Sequence, residues 1–138
     1  MKYLVLALAL VSTSVLATAS NPIDDIAQRS GLPASEVAAA LSDCDATQTN
    51  MNLCAWRDQL AAEQKLDDVV NAMAGSSTAC KTALRSTIDA WKEHRDANCL
   101  KSASREWGGG SMLPTAIAMC KTAETERMRK TIKSDACR

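Results

Sequence analysis

Six cysteines, one histidine and a scatter of carboxylates are the residues whose chemistry could define a function for this chain. The cysteines are Cys44, Cys54, Cys80, Cys99, Cys120 and Cys137. Thiols at such positions could hold a metal, exchange electrons or be joined as disulfides. Metal binding is disfavoured, because no Cys-x-x-Cys pair occurs, the spacings fit no zinc pattern, and His94 is the sole histidine. One histidine also argues against a His-based proton relay. Asp67, Asp68, Asp89, Glu93 and Asp96 fall on expected helices. General acid–base work needs two such groups held at a set separation in a pocket. Nothing in their spacing imposes that, and solvated helix faces are the default for carboxylates. The expectation is a protein that is not an enzyme and carries no metal and no cofactor.

The start of the chain sets the redox context. Lys2, the apolar run Leu4 to Val11 and the small-residue triplet Ala17-Thr18-Ala19 have the layout of a secretory leader cut near Ala19. The run is short for a stable membrane span, and no later stretch could cross a bilayer. An even number of cysteines beyond such a leader reads as disulfides formed in an oxidising compartment, so a periplasmic or secreted location is expected. Lys plus Arg and Asp plus Glu each number 16. That balance argues against a broad nucleic-acid or anionic-membrane surface.

Positioning these residues falls to helices. The chain has 138 residues, 46% of them apolar, with no Phe and three Trp, and its sole Tyr is Tyr3. A β-sandwich or barrel would use more β-branched and aromatic residues, whereas Ala, Leu, Gln, Glu, Lys and Arg favour helix. Pro22, Pro33 and Pro114 each open a helix-favouring run, and Gly31, Gly75 and Gly108 each follow one. This punctuation predicts helices over Pro22–Ser30, Pro33–Ser42, about Thr47–Ala74, about Thr78–Trp107 and Pro114–Asp135. Cys80, Leu84, Ile88, Trp91, Arg95 and Cys99 recur at three- and four-residue steps and make one face of the fourth helix. In the third, Leu53, Trp56, Leu60, Val69, Val70 and Met73 form a looser stripe.

Six cysteines allow fifteen pairings, and spacing alone does not choose among them. Helix geometry narrows the choice. If the fourth and fifth helices fold back on each other about Gly108–Gly110, facing residues share a nearly constant sum of residue numbers. Cys99 with Cys120 and Cys80 with Cys137 satisfy that condition to within two. Cys44 and Cys54 remain, and would clip the start of the third helix to the segment before it. The fold class expected is therefore all-α: a disulfide-stapled bundle built on a long antiparallel helical hairpin, with a short helical hairpin at the N-terminal end.

Three stretches of the chain carry a family likeness. Thr47-Gln48, Met51-Asn52 and Cys54 match the opening Thr-Gln-x-x-Met-Asn-x-Cys motif of the LprI-type lysozyme-inhibitor family. Trp91, Arg95, Asp96 and Cys99 resemble its second motif, and Gly109-Gly110-Ser111-Met112, Pro114, Cys120 and Thr125 resemble its third. The likeness spans residues 44 to about 129. Where the family has Leu-Asn-x-x-Tyr on the third helix, this chain has Leu66-Asp67-Asp68-Val69-Val70. The resemblance implies an all-helical domain of the bacterial periplasm or envelope and, for the family's named member, inhibition of lysozyme.

The chain thus divides into a leader over 1–19, an N-terminal helical hairpin over 20–43 and the family-like helical domain over 44–138. Trp91, Arg95 and Asp96 are candidates for contact with a protein partner. Trp91 and Arg95 lie four apart, so the guanidinium can approach the indole. The same spacing equally suits a packed Trp with an Arg tying down the neighbouring helix, and a stripe at helical spacing favours packing. Gly109, Gly110 and Ser111 are candidates as a rigid knob on the hairpin turn, since the stretch lacks the Gly-Lys-Ser/Thr ending of a phosphate loop. Residues Ile23 to Leu41 have the outline of a helix-turn-helix, but the second of these helices carries no Lys or Arg for phosphate contacts. The function expected is protein binding: steric occlusion of the cleft of a lysozyme or other wall hydrolase. The alternative is a non-inhibitory structural or stress-protection module of the envelope, with the N-terminal hairpin as a docking arm.

Overall fold

The structure, a computed structural model, describes residues 21–137. The expected leader and its cleavage point near Ala19 lie outside the described residues. Five α-helices follow one another: α1 (Pro22–Ser30), α2 (Ala34–Leu41), α3 (Gln48–Ala74), α4 (Thr78–Trp107) and α5 (Leu113–Thr131), then a 3₁₀ turn over Ser134–Cys137. No strand occurs among the described residues.

Local chemistry places the helix ends. The Asn21 side chain accepts the Ile23 N–H at 3.1 Å, with Pro22 opening α1. The Thr47 hydroxyl accepts the Asn50 N–H at 3.0 Å to start α3, and the Ser77 hydroxyl accepts the Cys80 N–H at 3.2 Å to start α4. Each of these satisfies one of the amide donors that a helix start leaves unpaired. Gly108 ends α4 at φ 59° and ψ −137°, a region that residues with a Cβ avoid. At the last helix the structure departs from the sequence pattern. A helix was expected through Asp135, but α5 stops at Thr131, and Ile132 is extended at ψ 137°. No Pro or Gly stops it there. The break turns the chain back so that the 3₁₀ turn brings Cys137 to Cys80, Cα to Cα 4.6 Å, in the first turn of α4.

The three long helices form an up-down-up bundle. The Gln48 amide donates to Thr115 Oγ1 at 3.3 Å, and Lys65 pairs with Glu126 at 4.0 Å, so α3 and α5 run parallel. Arg95 meets Thr125 and, one turn on, Cys99 meets Cys120, so α4 runs against α5 and therefore against α3 as well. The antiparallel α4–α5 hairpin is present. It is completed by α3, along which α5 packs for most of its length. Disulfides join Cys44 to Cys54, Cys80 to Cys137 and Cys99 to Cys120, and no cysteine is free.

Two apolar clusters account for most of the loose stripe on α3, while Val69 is half-buried and Met73, 37% exposed, joins neither. Leu66, Val70 and Ala74 pack with Cys80, Leu84 and Ile88 between α3 and α4. Leu53 packs with Ile26 of α1 and Val37 of α2, with Trp56 and Leu60 alongside. Helix α3 is therefore sandwiched, and two buried faces blur a single period of 3.6. The α1–α2 hairpin is seated on the bundle through fully buried Ile26 and Val37.

Candidate functional site

Where α3, α4 and α5 meet, the bundle buries a charge. The Arg95 side chain is only 3% exposed. Burying a guanidinium without partners is costly, so its donors must be matched. Nη1 reaches Glu63 Oε1 and Thr125 Oγ1, both at 2.8 Å. Nε and Nη2 each reach Asp96 Oδ1 at 2.8 Å. The guanidinium also lies 5.3 Å from the centre of the Trp91 ring. The network continues outward through Gln59, whose amide donates to Glu63 at 3.1 Å, and through Lys121, which pairs with Asp96 at 3.0 Å. No buried side-chain nitrogen or oxygen among the described residues lacks a partner.

The electrostatics follow from this packing. Partial burial pushes the Asp96 carboxyl up, but hydrogen bonds from Lys121 and Arg95, together with their charges, outweigh it and hold the group below its ordinary value of 3.8. A carboxyl so held stays ionised at neutral pH and is unsuited to act as a general acid there. The other carboxylates singled out in the sequence do not converge on it. Asp89 and Glu93 are exposed on α4, and Asp68 accepts a hydrogen bond from Gln64 one turn away on α3. No group of three or more metal-binding side chains occurs among the described residues.

Beside the network, a cavity of about 320 Å³ opens between α4 and α5, lined by Trp91, His94, Asn98, Ser102 and Glu124 and floored by the Cys99–Cys120 disulfide. The second candidate, Gly109, Gly110 and Ser111, lies elsewhere, on the exposed turn between α4 and α5. Trp107, the last residue of α4, stands next to that turn and is 43% exposed. The candidates therefore form two groups. Trp91, Arg95 and Asp96 surround the buried junction, and Gly109 to Ser111 crown one end of the bundle.

The residues that recur in the motifs now have a geometric meaning. Trp91, Arg95, Asp96, Cys99, Cys120 and Thr125 meet at the three-helix junction, and Gln48 and Asn52 of the first motif both hydrogen-bond Thr115 near the start of α5. A family model described as lysozyme inhibitor LprI matches residues 41–131, which takes in all of these positions. The chain belongs to the LprI lysozyme-inhibitor family. No curated protein and no solved structure matches it. The LprI match covers α3, α4 and α5 and leaves α1 and nearly all of α2 outside.

Sequence reasoning missed three members of the junction: Gln59, Glu63 and Lys121. A signal for the first two was present. Gln59 and Glu63 lie four apart beside the small and apolar positions Ala55, Ala62 and Leu66, and Gln59 sits within that buried stripe. A polar residue there requires a buried partner.

Proposed function

We propose that the protein inhibits a lysozyme or a related wall hydrolase in the bacterial periplasm or envelope, by occluding the enzyme's cleft with the tip where α4 turns into α5. The observation that carries this reading is the tip itself. Trp107 and Gly108 to Ser111 are exposed at one end of a bundle whose two tip helices are cross-linked at Cys99–Cys120. From Cys99 to Trp107 the helix extends about 12 Å at 1.5 Å per residue. An aromatic side chain on a pre-stiffened turn loses little freedom on binding, which favours affinity. Membership of an inhibitor family supports a protein partner and a non-catalytic role. Three disulfides support an oxidising compartment.

The test is a titration of c-type, g-type and bacterial lysozymes with the purified oxidised protein. The expected result is dose-dependent inhibition of at least one enzyme at micromolar protein or below, weakened in W107A. No inhibition of any of the three classes refutes the proposal.

A further inference from the structure

The exposed side of α4 carries a row of polar side chains, two of which, His94 and Asn98, also line the cavity beside Trp91. His94, Asn98, Lys101 and Arg105 recur at four-, three- and four-residue steps, so they share one face of the helix. All four are exposed. Among the described residues no hydrogen bond or ion pair engages any of them, which is equally true of Lys81, Lys92 and Lys133, whereas Arg57, Arg95, Lys121, Arg127 and Arg129 are paired with carboxylates. The row runs from the cavity beside Trp91 to the Gly108–Ser111 turn and spans about 16 Å along the helix axis. Glu93 and Glu106 are next to it in sequence, but adjacent helix positions point about 100° apart, so neither lies within the row. The protein as a whole has equal numbers of acidic and basic residues. What distinguishes the row is position: Lys101 and Arg105 set two cations on one exposed face of α4, one helical turn apart and next to the tip.

Resting on the reading above, we infer that this row is the recognition face for an acidic cleft, and that Lys101 and Arg105 are the residues that select it. Glycan hydrolases flank the scissile bond with two carboxyl groups, roughly 5–9.5 Å apart. Lys101 and Arg105 lie one helical turn apart, a rise of about 6 Å, so the two cations match that spacing. With the tip occupying the cleft, α4 brings this pair down one wall, and His94 and Asn98 supply further hydrogen-bonding groups behind it. The occupant is the carboxylate-lined cleft of a wall hydrolase. The row would act at close range, so it sets affinity and choice of enzyme more than the rate of long-range encounter.

The experiment compares the oxidised wild type with K101Q/R105Q and, as a control with the same loss of charge, K81Q/K130Q, in inhibition of a c-type lysozyme at 0.05 and 0.5 M salt. Circular dichroism and thermal melts establish that the variants are folded. The inference expects K101Q/R105Q to inhibit more weakly by roughly tenfold or more at low salt, with little salt dependence left, and the control to match the wild type. Wild-type inhibition that K101Q/R105Q retains in full overturns the row and leaves the proposed function standing. A wild type that inhibits none of the lysozyme classes overturns both. Retained inhibition by K101Q/R105Q, together with lost binding to an anionic wall polymer in sedimentation, assigns the row to that polymer and likewise overturns the inference.

Discussion

The buried guanidinium makes the most quantitative demand on the fold. Truncation in R95A removes the bonds to Glu63 and Thr125, the bonds to Asp96 and the contact with Trp91. The partners do not suffer equally. Asp96 is 45% exposed and keeps Lys121, so its loss is small. Glu63 is 20% exposed and keeps only the Gln59 amide, so an ionised carboxylate is left largely shielded with one hydrogen bond. Thr125 is fully buried, but its hydroxyl still donates to the Lys121 carbonyl at 2.7 Å. Removing one partner of a buried ion pair costs about 3–5 kcal/mol, and the residual exposure of Glu63 places this case near the lower end, about 3 kcal/mol. For a domain of this size that corresponds to a fall in Tm of about 12 °C.

Urea unfolding and calorimetry with the disulfides intact measure this loss, and a double-mutant cycle with E63A isolates the pair. Because the main cost is an abandoned carboxylate, R95A/E63A should be destabilised by clearly less than the two single losses combined, with a coupling of about 2 kcal/mol. R95M/E63L, which fills the space with apolar atoms, should recover most of the remaining loss. An R95A cost below about 1 kcal/mol would mean that the pair behaves as a surface ion pair, and the reading of the junction as the centre of the bundle would be wrong.

Two further outcomes follow from the same structure. Deleting the disulfides one at a time as Cys→Ala pairs should cost about 4 kcal/mol for Cys80–Cys137, about 3 for Cys99–Cys120 and slightly less for Cys44–Cys54. This order follows loop lengths set by sequence separations of 57, 21 and 10, and a different order in guanidinium unfolding would show that loop entropy does not govern them. The Asp96 carboxyl is held below 3.8 in the folded protein, so its stabilising contribution is complete above that value and is lost as pH falls through the lower folded one. D96N should therefore be less stable than the wild type at neutral pH, with the gap closing on acidification below 3.8; a gap in urea midpoint independent of pH would refute the assignment.

The helices were legible because their ends are written in local chemistry. Pro22, Gly75 and Gly108 act within one turn of themselves, and a sequence shows such neighbours directly. The Cys99–Cys120 link was legible for a related reason, since an antiparallel hairpin ties distant residue numbers to each other through its turn; Cys80–Cys137 was paired correctly on the same rule, although Cys137 lies past the end of α5, and Cys44–Cys54 followed by elimination. Three features were not. The end of α5 at Thr131 answers to Cys80, more than fifty residues away. The two faces of α3 each serve a different neighbour, so the apolar pattern looked loose where it is in fact doubled. The partners of Arg95 come from three helices, and a stripe on α4 cannot reveal Glu63 or Lys121. What escapes sequence reasoning here is long-range pairing that no turn encodes.

This division bears on where specificity can reside. Most of the motif residues converge inward, on Arg95, Thr125 and the Cys99–Cys120 bridge, where they hold three helices in register, while Gly109 to Ser111 of the third motif lie on the exposed tip. A side chain fully engaged and shielded there has little left with which to read a partner's surface, whereas Asp96 stays 45% exposed. Arg95 illustrates the point, with its donors matched to Glu63, Thr125 and Asp96 and its side chain shielded from solvent. On the function proposed above, recognition would fall to the exposed tip turn and to side chains outside the junction: Trp107 at the tip, and Lys101 and Arg105 along the row. Two proteins sharing every motif residue would then share this bundle and still differ in target, and exchanging positions 101, 105 and 107 between them should exchange the enzyme inhibited while leaving the unfolding midpoint in place.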